Sequence, residues 1–242
     1  MRMSHINNYK ETKVMILITE IFLVWILHTL LAYSTPLEKA GNYQVQCDKG
    51  NFQACKALAD MYYDGELIKK IIREYRLKAE KYYRKSCSGG ILDSCYTLSE
   101  IYFRQGKKIE SFNIIRDICN KGFKKGCTTL AYYYQQGYGV KQDFSKALNL
   151  YEKTCSQGEP DACLGAGYFY IENNITKAIY LFQTACSDHN GHACNQLGNF
   201  YSNGEYVDKN ITRSLQYYHK ACFEGLYSPA CTKLTDIELG IK

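Results

Sequence analysis

From residue 36 onward, apolar residues recur at three- and four-residue intervals, the spacing that gathers side chains on one face of an α-helix. The clearest series is anchored on cysteines. Leu58, Leu98, Leu130, Ala166, Leu197 and Leu234 stand three residues after Cys55, Cys95, Cys127, Cys163, Cys194 and Cys231, and Tyr62, Tyr102, Tyr134, Tyr170 and Tyr201 come four residues later. Gly65, Gly106, Gly137, Asn173 and Gly204 follow, residues that tolerate the left-handed conformation closing a helix C-terminus. Each series therefore predicts a helix of about twelve residues.

A second amphipathic run precedes the first cysteine of each unit. It is small at Ala79, Ser111, Ala147, Ala178 and Ser214, and bulky one turn later at Tyr83, Ile115, Tyr151, Phe182 and Tyr218. Small beside large predicts helices that approach closely and interlock. Asp143, Asn174 and Asn210 are placed to cap helix starts, Pro160 and Pro229 sit near first-turn positions, and Thr35-Pro36-Leu37-Glu38 reads as a capping box. Leu67, Ile68, Ile71 and Ile72 predict an extended connection packed over its neighbours. Strand signals are almost absent, so the predicted class is all-α.

The cysteines set the architecture. All 12 fall in six pairs, Cys47 and Cys55, Cys87 and Cys95, Cys119 and Cys127, Cys155 and Cys163, Cys186 and Cys194, Cys222 and Cys231. Seven residues separate the first five pairs and eight the last, and successive pairs begin 40, 32, 36, 31 and 36 residues apart. A period near 36 residues means repeated helical hairpins whose apolar faces are buried by stacking. Such wide pairs suit structural zinc poorly, whereas a turn holding Gly50, Gly89, Gly122, Gly158 or Gly225 brings the two sulfurs of a pair together. Pairing within each unit is the simplest scheme, and each closed loop is worth about 2 to 3 kcal/mol by chain entropy.

Residues 1–34 carry Arg2, Lys10 and Lys13, then an apolar run from Val14 to Leu31, then Ala32-Tyr33-Ser34. That order predicts an export signal, with an uncleaved anchor as the alternative because the run is 18 residues long. Twelve cysteines independently point to an oxidising compartment, secreted or periplasmic. Residues 35–242 then form the repeat array, whose net charge of +5 differs little from the +6 of the whole chain. Its Lys and Arg alternate with Asp and Glu along every helix, which argues against a nucleic-acid surface.

Leu130-Ala131, Tyr134, Gly137-Tyr138-Gly139-Val140, Asp143, Lys146-Ala147 and Tyr151 resemble the Sel-one-like repeat family, relatives of the tetratricopeptide repeat. With Tyr218-His219-Lys220-Ala221-Cys222 and Cys194-Asn195-Gln196-Leu197-Gly198, the likeness narrows to the Helicobacter cysteine-rich proteins and covers about residues 35–242. The resemblance implies a right-handed solenoid of antiparallel hairpins stapled by disulfides in a Gram-negative bacterium. It also implies host interaction, penicillin binding or weak β-lactamase activity.

The residues for that chemistry are not evident. Ser-x-x-Lys, Ser-Asp-Asn and Lys-Thr-Gly do not occur, nor does Cys-x-x-Cys. His189 and His192 share one polar turn and read as solvated rather than metal-bound, so neither metal nor cofactor is expected. The sequons at Asn174 and Asn210 read as caps. A binding surface is better supported, on a stripe turned away from the Leu and Tyr face: Asp60, Glu100, Arg104, Tyr132, Gln136, Tyr168, Asn195 and Asn199. On a concave face it would grip a protein, peptide or cell-wall fragment. The expected function is thus a binding scaffold, the alternatives being a β-lactam hydrolase and a membrane-anchored assembly adaptor.

Overall fold

The computed structural model describes residues 36–64 and 72–240, which form twelve α-helices and no strand among the described residues. They are α1 (Pro36–Asp48), α2 (Phe52–Tyr63), α3 (Ile72–Ser88), α4 (Leu92–Arg104), α5 (Lys108–Asn120), α6 (Lys124–Gln136), α7 (Phe144–Ser156), α8 (Pro160–Tyr170), α9 (Ile175–Ser187), α10 (Gly191–Asn203), α11 (Ile211–His219) and α12 (Ser228–Glu238). The predicted signal segment, Thr35, Gly65 and the connection through Leu67, Ile68 and Ile71 lie outside the described residues, whereas Ile72, expected in that connection, is the first residue of α3. The chain divides into two compact units, one ending at Ile91 and one beginning at Leu92.

Within each unit, consecutive helices pack on one another as hairpins. The small and bulky positions work as a lock: Ala79, Ser111, Ala147, Ala178 and Ser214 are fully buried, and Tyr83, Ile115, Tyr151, Phe182 and Tyr218 are buried beside them. The two serines satisfy their hydroxyls on neighbouring backbone, Ser111 Oγ donating to the Ser99 carbonyl at 2.8 Å and Ser214 Oγ to that of Gly198 at 2.9 Å. Gly167 and Gly198 leave room for bulky partners, since a Cβ there would come within 2.6 Å of the Phe182 or Tyr218 ring.

Each cysteine pair spans the three-residue turn between two helices. Five bridges, Cys47–Cys55, Cys119–Cys127, Cys155–Cys163, Cys186–Cys194 and Cys222–Cys231, hold Cα atoms 4.5 to 4.8 Å apart. Cys87 and Cys95 are disulfide-bonded too, and no cysteine is free. The third residue after the first cysteine is left-handed and donates its N–H to that cysteine's carbonyl, as Gly50, Gly90, Gly122, Gly158 and His189 do at 2.8 to 3.2 Å.

Two turn glycines act differently from expectation. Gly90, not Gly89, takes the positive φ, and Leu226 takes it where Gly225 was expected. Gly89 and Gly225 are instead sites of close approach, where a Cβ would come within 2.0 Å of the Phe52 ring or 2.3 Å of Gly191 Cα. The extra residue of the last pair lies in a π-helical turn, Lys220–Glu224, which lets the bridge keep the geometry of its shorter relatives.

Among the described residues, helix ends follow the sequence with one exception. The Asp143, Asn174 and Asn210 side chains accept from the backbone N–H three residues on, and Gly137 and Gly204 close their helices with φ of 73°. Asn173 does not play that part, because α8 ends at Tyr170 and Asn173 is absent from the left-handed residues.

Candidate binding cleft

Helices that follow a disulfide turn carry the predicted stripe. In the second unit, α6 and α8 contact each other directly, so side chains of α4, α6 and α8 that point away from the intervening helices converge on one face. There they enclose a cleft of about 560 Å³. Tyr96 and Phe103 of α4, Tyr132 and Tyr133 of α6 and Tyr168 of α8 line it with rings, and Glu100, Arg104 and Asp161 are its charged groups.

The rings hold each other in place. Phe103 meets Tyr133 at 5.5 Å and Tyr138 at 5.1 Å between centroids, Tyr138 meets Tyr132 at 5.8 Å, and Tyr168 sits edge-on to Phe182 at 5.3 Å. Such contacts fix orientation at little cost in side-chain freedom. Tyr132 and Tyr168 nonetheless remain 44% and 47% exposed. Burial pushes the Tyr132, Tyr133, Tyr151 and Tyr168 phenols above their ordinary value, so all four are neutral hydroxyls at physiological pH.

Of the predicted stripe positions, Glu100, Arg104, Tyr132 and Tyr168 line this cleft, and the other four do not join them. Asp60 belongs to the first unit. Gln136 is exposed on α6, while its neighbour Gln135 lines the cleft and accepts from Tyr151 Oη at 3.2 Å. Asn195 is 8% exposed, and its Oδ1 has no hydrogen-bond partner. Asn199 Oδ1 accepts from Tyr218 Oη at 2.8 Å and Lys233 Nζ at 2.6 Å. Asp60 is engaged in the same way, taking Tyr83 Oη at 2.6 Å and Lys56 Nζ at 2.8 Å.

Tyr96, Phe103, Thr129, Tyr133 and Asp161 also line the cleft and lie outside the predicted stripe. Tyr96 follows Cys95 by one residue, the same register as the predicted Asn195 after Cys194. Phe103 and Gln135 each stand eight residues after a cysteine, so a stripe one residue wider would have found them. Of the two turn histidines, His189 Nδ1 lies 3.4 Å from Glu224 Oε2, and the His192 ring lies 4.2 Å from that of Tyr227. No group of three or more metal-ligating side chains converges among the described residues.

Stacked hairpins with an aromatic cleft define a helical-repeat scaffold of the solenoid class. The Sel1 repeat pattern matches residues 52–91, 125–159, 160–190 and 191–225, more than half of the chain, and the chain belongs to the Sel1 repeat family. Cytochrome c oxidase assembly factor 7 of Xenopus tropicalis is 28% identical over 121 residues, 47% of this chain and 52% of that protein. The chain thus aligns with about half the length of this curated relative. A Sel1 repeat protein from Oxalobacter formigenes superposes with a TM-score of 0.65 at 22% identity, covering 79% of this chain and 82% of the other. The protective antigen c5321 of uropathogenic Escherichia coli gives 0.63 at 22% identity over 86% of this chain and 45% of that one. At such identities the structures establish the fold.

Proposed function

We propose that the α4–α6–α8 cleft binds an extended segment of a protein partner, and that the chain is a disulfide-stapled interaction scaffold working outside the reducing cytoplasm. The observation that carries this reading is the pair of half-exposed tyrosines, Tyr132 and Tyr168, held rigid within a cleft of about 560 Å³. Rings fixed before binding lose little entropy on contact and offer both an apolar face and a hydroxyl. The assembly role in the name of the Xenopus relative agrees with a scaffold.

Export is supported by the bonded state of the cysteines and by the order of residues 1–34. No helix among the described residues is long and apolar enough to cross a membrane, so an anchored form would depend on that N-terminal segment. For β-lactams, support comes from the Helicobacter resemblance alone, and for cell-wall fragments from the polar groups of the predicted stripe. The cleft lining includes no Ser, Cys, His or Lys from which a nucleophile and its base are usually drawn.

Selection of displayed peptides on the oxidised chain tests the proposal. Binders should lose most of their affinity to a Tyr132→Ala, Tyr168→Ala double variant and keep it for Tyr180→Ala, which alters an exposed ring on α9. Equal loss from Tyr180→Ala, or no loss from the double variant, would refute it.

A further inference from the structure

The position five residues after the second cysteine of a unit recurs as Asp60, Glu100, Tyr132, Tyr168 and Asn199. At two of these places an oxygen acceptor receives the same pair of donors, a tyrosine hydroxyl and a lysine ammonium. Asp60 takes Tyr83 Oη and Lys56 Nζ, and Asn199 takes Tyr218 Oη and Lys233 Nζ. The tyrosine comes in both cases from the bulky position of the following helix. The lysine comes from one turn earlier at Asp60, and from the next post-disulfide helix at Asn199.

Glu100 is the third acceptor of the series and has lost all of these donors. Ile115 stands where Tyr83 and Tyr218 stand, Tyr96 where Lys56 stands, and Thr129 where Lys233 stands. Glu100 forms no ion pair among the described residues, although Arg104 lines the same cleft one turn further on. The missing ammonium has been replaced by space and by rings.

We propose that Glu100 receives a lysine or arginine side chain from a protein partner, the cation lying against the tyrosine rings of the cleft while the carboxylate neutralises it. The chain itself shows how such a group is held. Lys177 Nζ lies 2.6 Å from Glu152 Oε1, 2.7 Å from Tyr170 Oη and 4.0 Å from the Tyr170 ring centroid. Lys125 Nζ already lies 4.6 Å from the ring of Tyr96 at the cleft edge. A carboxylate together with aromatic faces favours a cation over neutral or acidic side chains, because both attractions strengthen as water is excluded. Glu100 thus selects charge, while Tyr132 and Tyr168 give the bound segment its apolar contact.

This inference rests on the reading of the cleft as a peptide-binding groove, and one selection separates the two. Random dodecapeptides displayed against the oxidised chain should converge on a single Lys or Arg at a fixed position. Synthetic copies measured by fluorescence polarisation should bind Glu100→Gln about tenfold more weakly or worse, the order expected for losing a charge-assisted contact. Acetylating the peptide lysine should cost as much, and Glu100→Lys should select acidic peptides instead. An unchanged melting temperature for Glu100→Gln shows that folding is not the cause. Peptides that need Tyr132 but ignore Glu100→Gln, or that are enriched in Asp and Glu on the unaltered chain, would overturn the role of Glu100 and leave the groove standing. No peptide dependent on Tyr132 would overturn both.

Discussion

At the scale of single residues, the fold depends on places where nothing larger than a hydrogen fits. Gly139 has φ of +70°, and a Cβ there would lie 2.2 Å from the Lys108 carbonyl oxygen, a backbone atom unable to swing aside. Gly139→Ala should therefore cost upward of about 2 kcal/mol, more than Gly167→Ala, whose clash with the Phe182 ring is the usual cost of overpacking, about 1 to 3 kcal/mol. Denaturant melts of the two variants test that order. A pH effect has its origin at Glu152, whose carboxyl is held below its ordinary value by hydrogen bonds from Lys177 and Tyr170. The unfolded chain then binds the proton more readily, so this contribution is present above the ordinary glutamate value and lost as pH falls through the lower folded one. Lys177 is shifted upward by the same contact, and its contribution is lost as pH rises past its folded value, above 10.5. Melting temperatures across the acid range should fall less steeply for Lys177→Met, and an unchanged acid limb would remove the pair from the account. Both groups are close to solvent, which keeps the effect small.

At the scale of elements, the sequence was most legible where backbone chemistry repeats. Asp143, Asn174 and Asn210 cap as their residue types suggest, because a short side-chain oxygen before an apolar run has one local way to be satisfied. The turns were harder to read, since glycine answers two demands that look alike in sequence. Gly122 is needed for its φ, whereas Gly89 is needed for closeness to Phe52, and the left-handed place in the Cys186–Cys194 turn is held by His189. The π turn at Lys220–Glu224 could be anticipated as one extra residue but not placed, because only the structure shows Leu226 and Tyr227 keeping the register of His189 and Asn190. Deleting Glu224 should convert that turn to α-helix and leave the Cys222–Cys231 bridge intact by peptide mapping. A scrambled bridge would show that the π turn is required. Replacing Cys155 and Cys163 together by alanine should cost about 2 to 3 kcal/mol if loop entropy dominates. Faster hydrogen exchange should then be concentrated in α7 and α8, as expected where each hairpin's stability depends mainly on its neighbours.

At the scale of the molecule, the cysteine period and the Leu and Tyr series were enough to reach stacked helical hairpins, because only stacking can bury the apolar face of so short a hairpin, and the resemblance around Gly137-Tyr138-Gly139-Val140 pointed to the Sel1 repeat family that the chain belongs to. The cleft was half legible. Glu100, Arg104, Tyr132 and Tyr168 share a register that helical counting reveals, yet counting cannot tell an acceptor already engaged, such as Asp60 or Asn199, from one facing an open cleft. That distinction depends on whether the next helix brings a tyrosine or an isoleucine to meet it. A photoreactive benzoylphenylalanine placed at Tyr132 or, for comparison, at Tyr180 in the oxidised chain tests the central claim most directly. The account predicts a discrete protein adduct from position 132, blocked by excess selected peptide, and none from position 180. Adducts from position 180 that match or exceed those from 132, or adducts at 132 that the peptide leaves untouched, would contradict it.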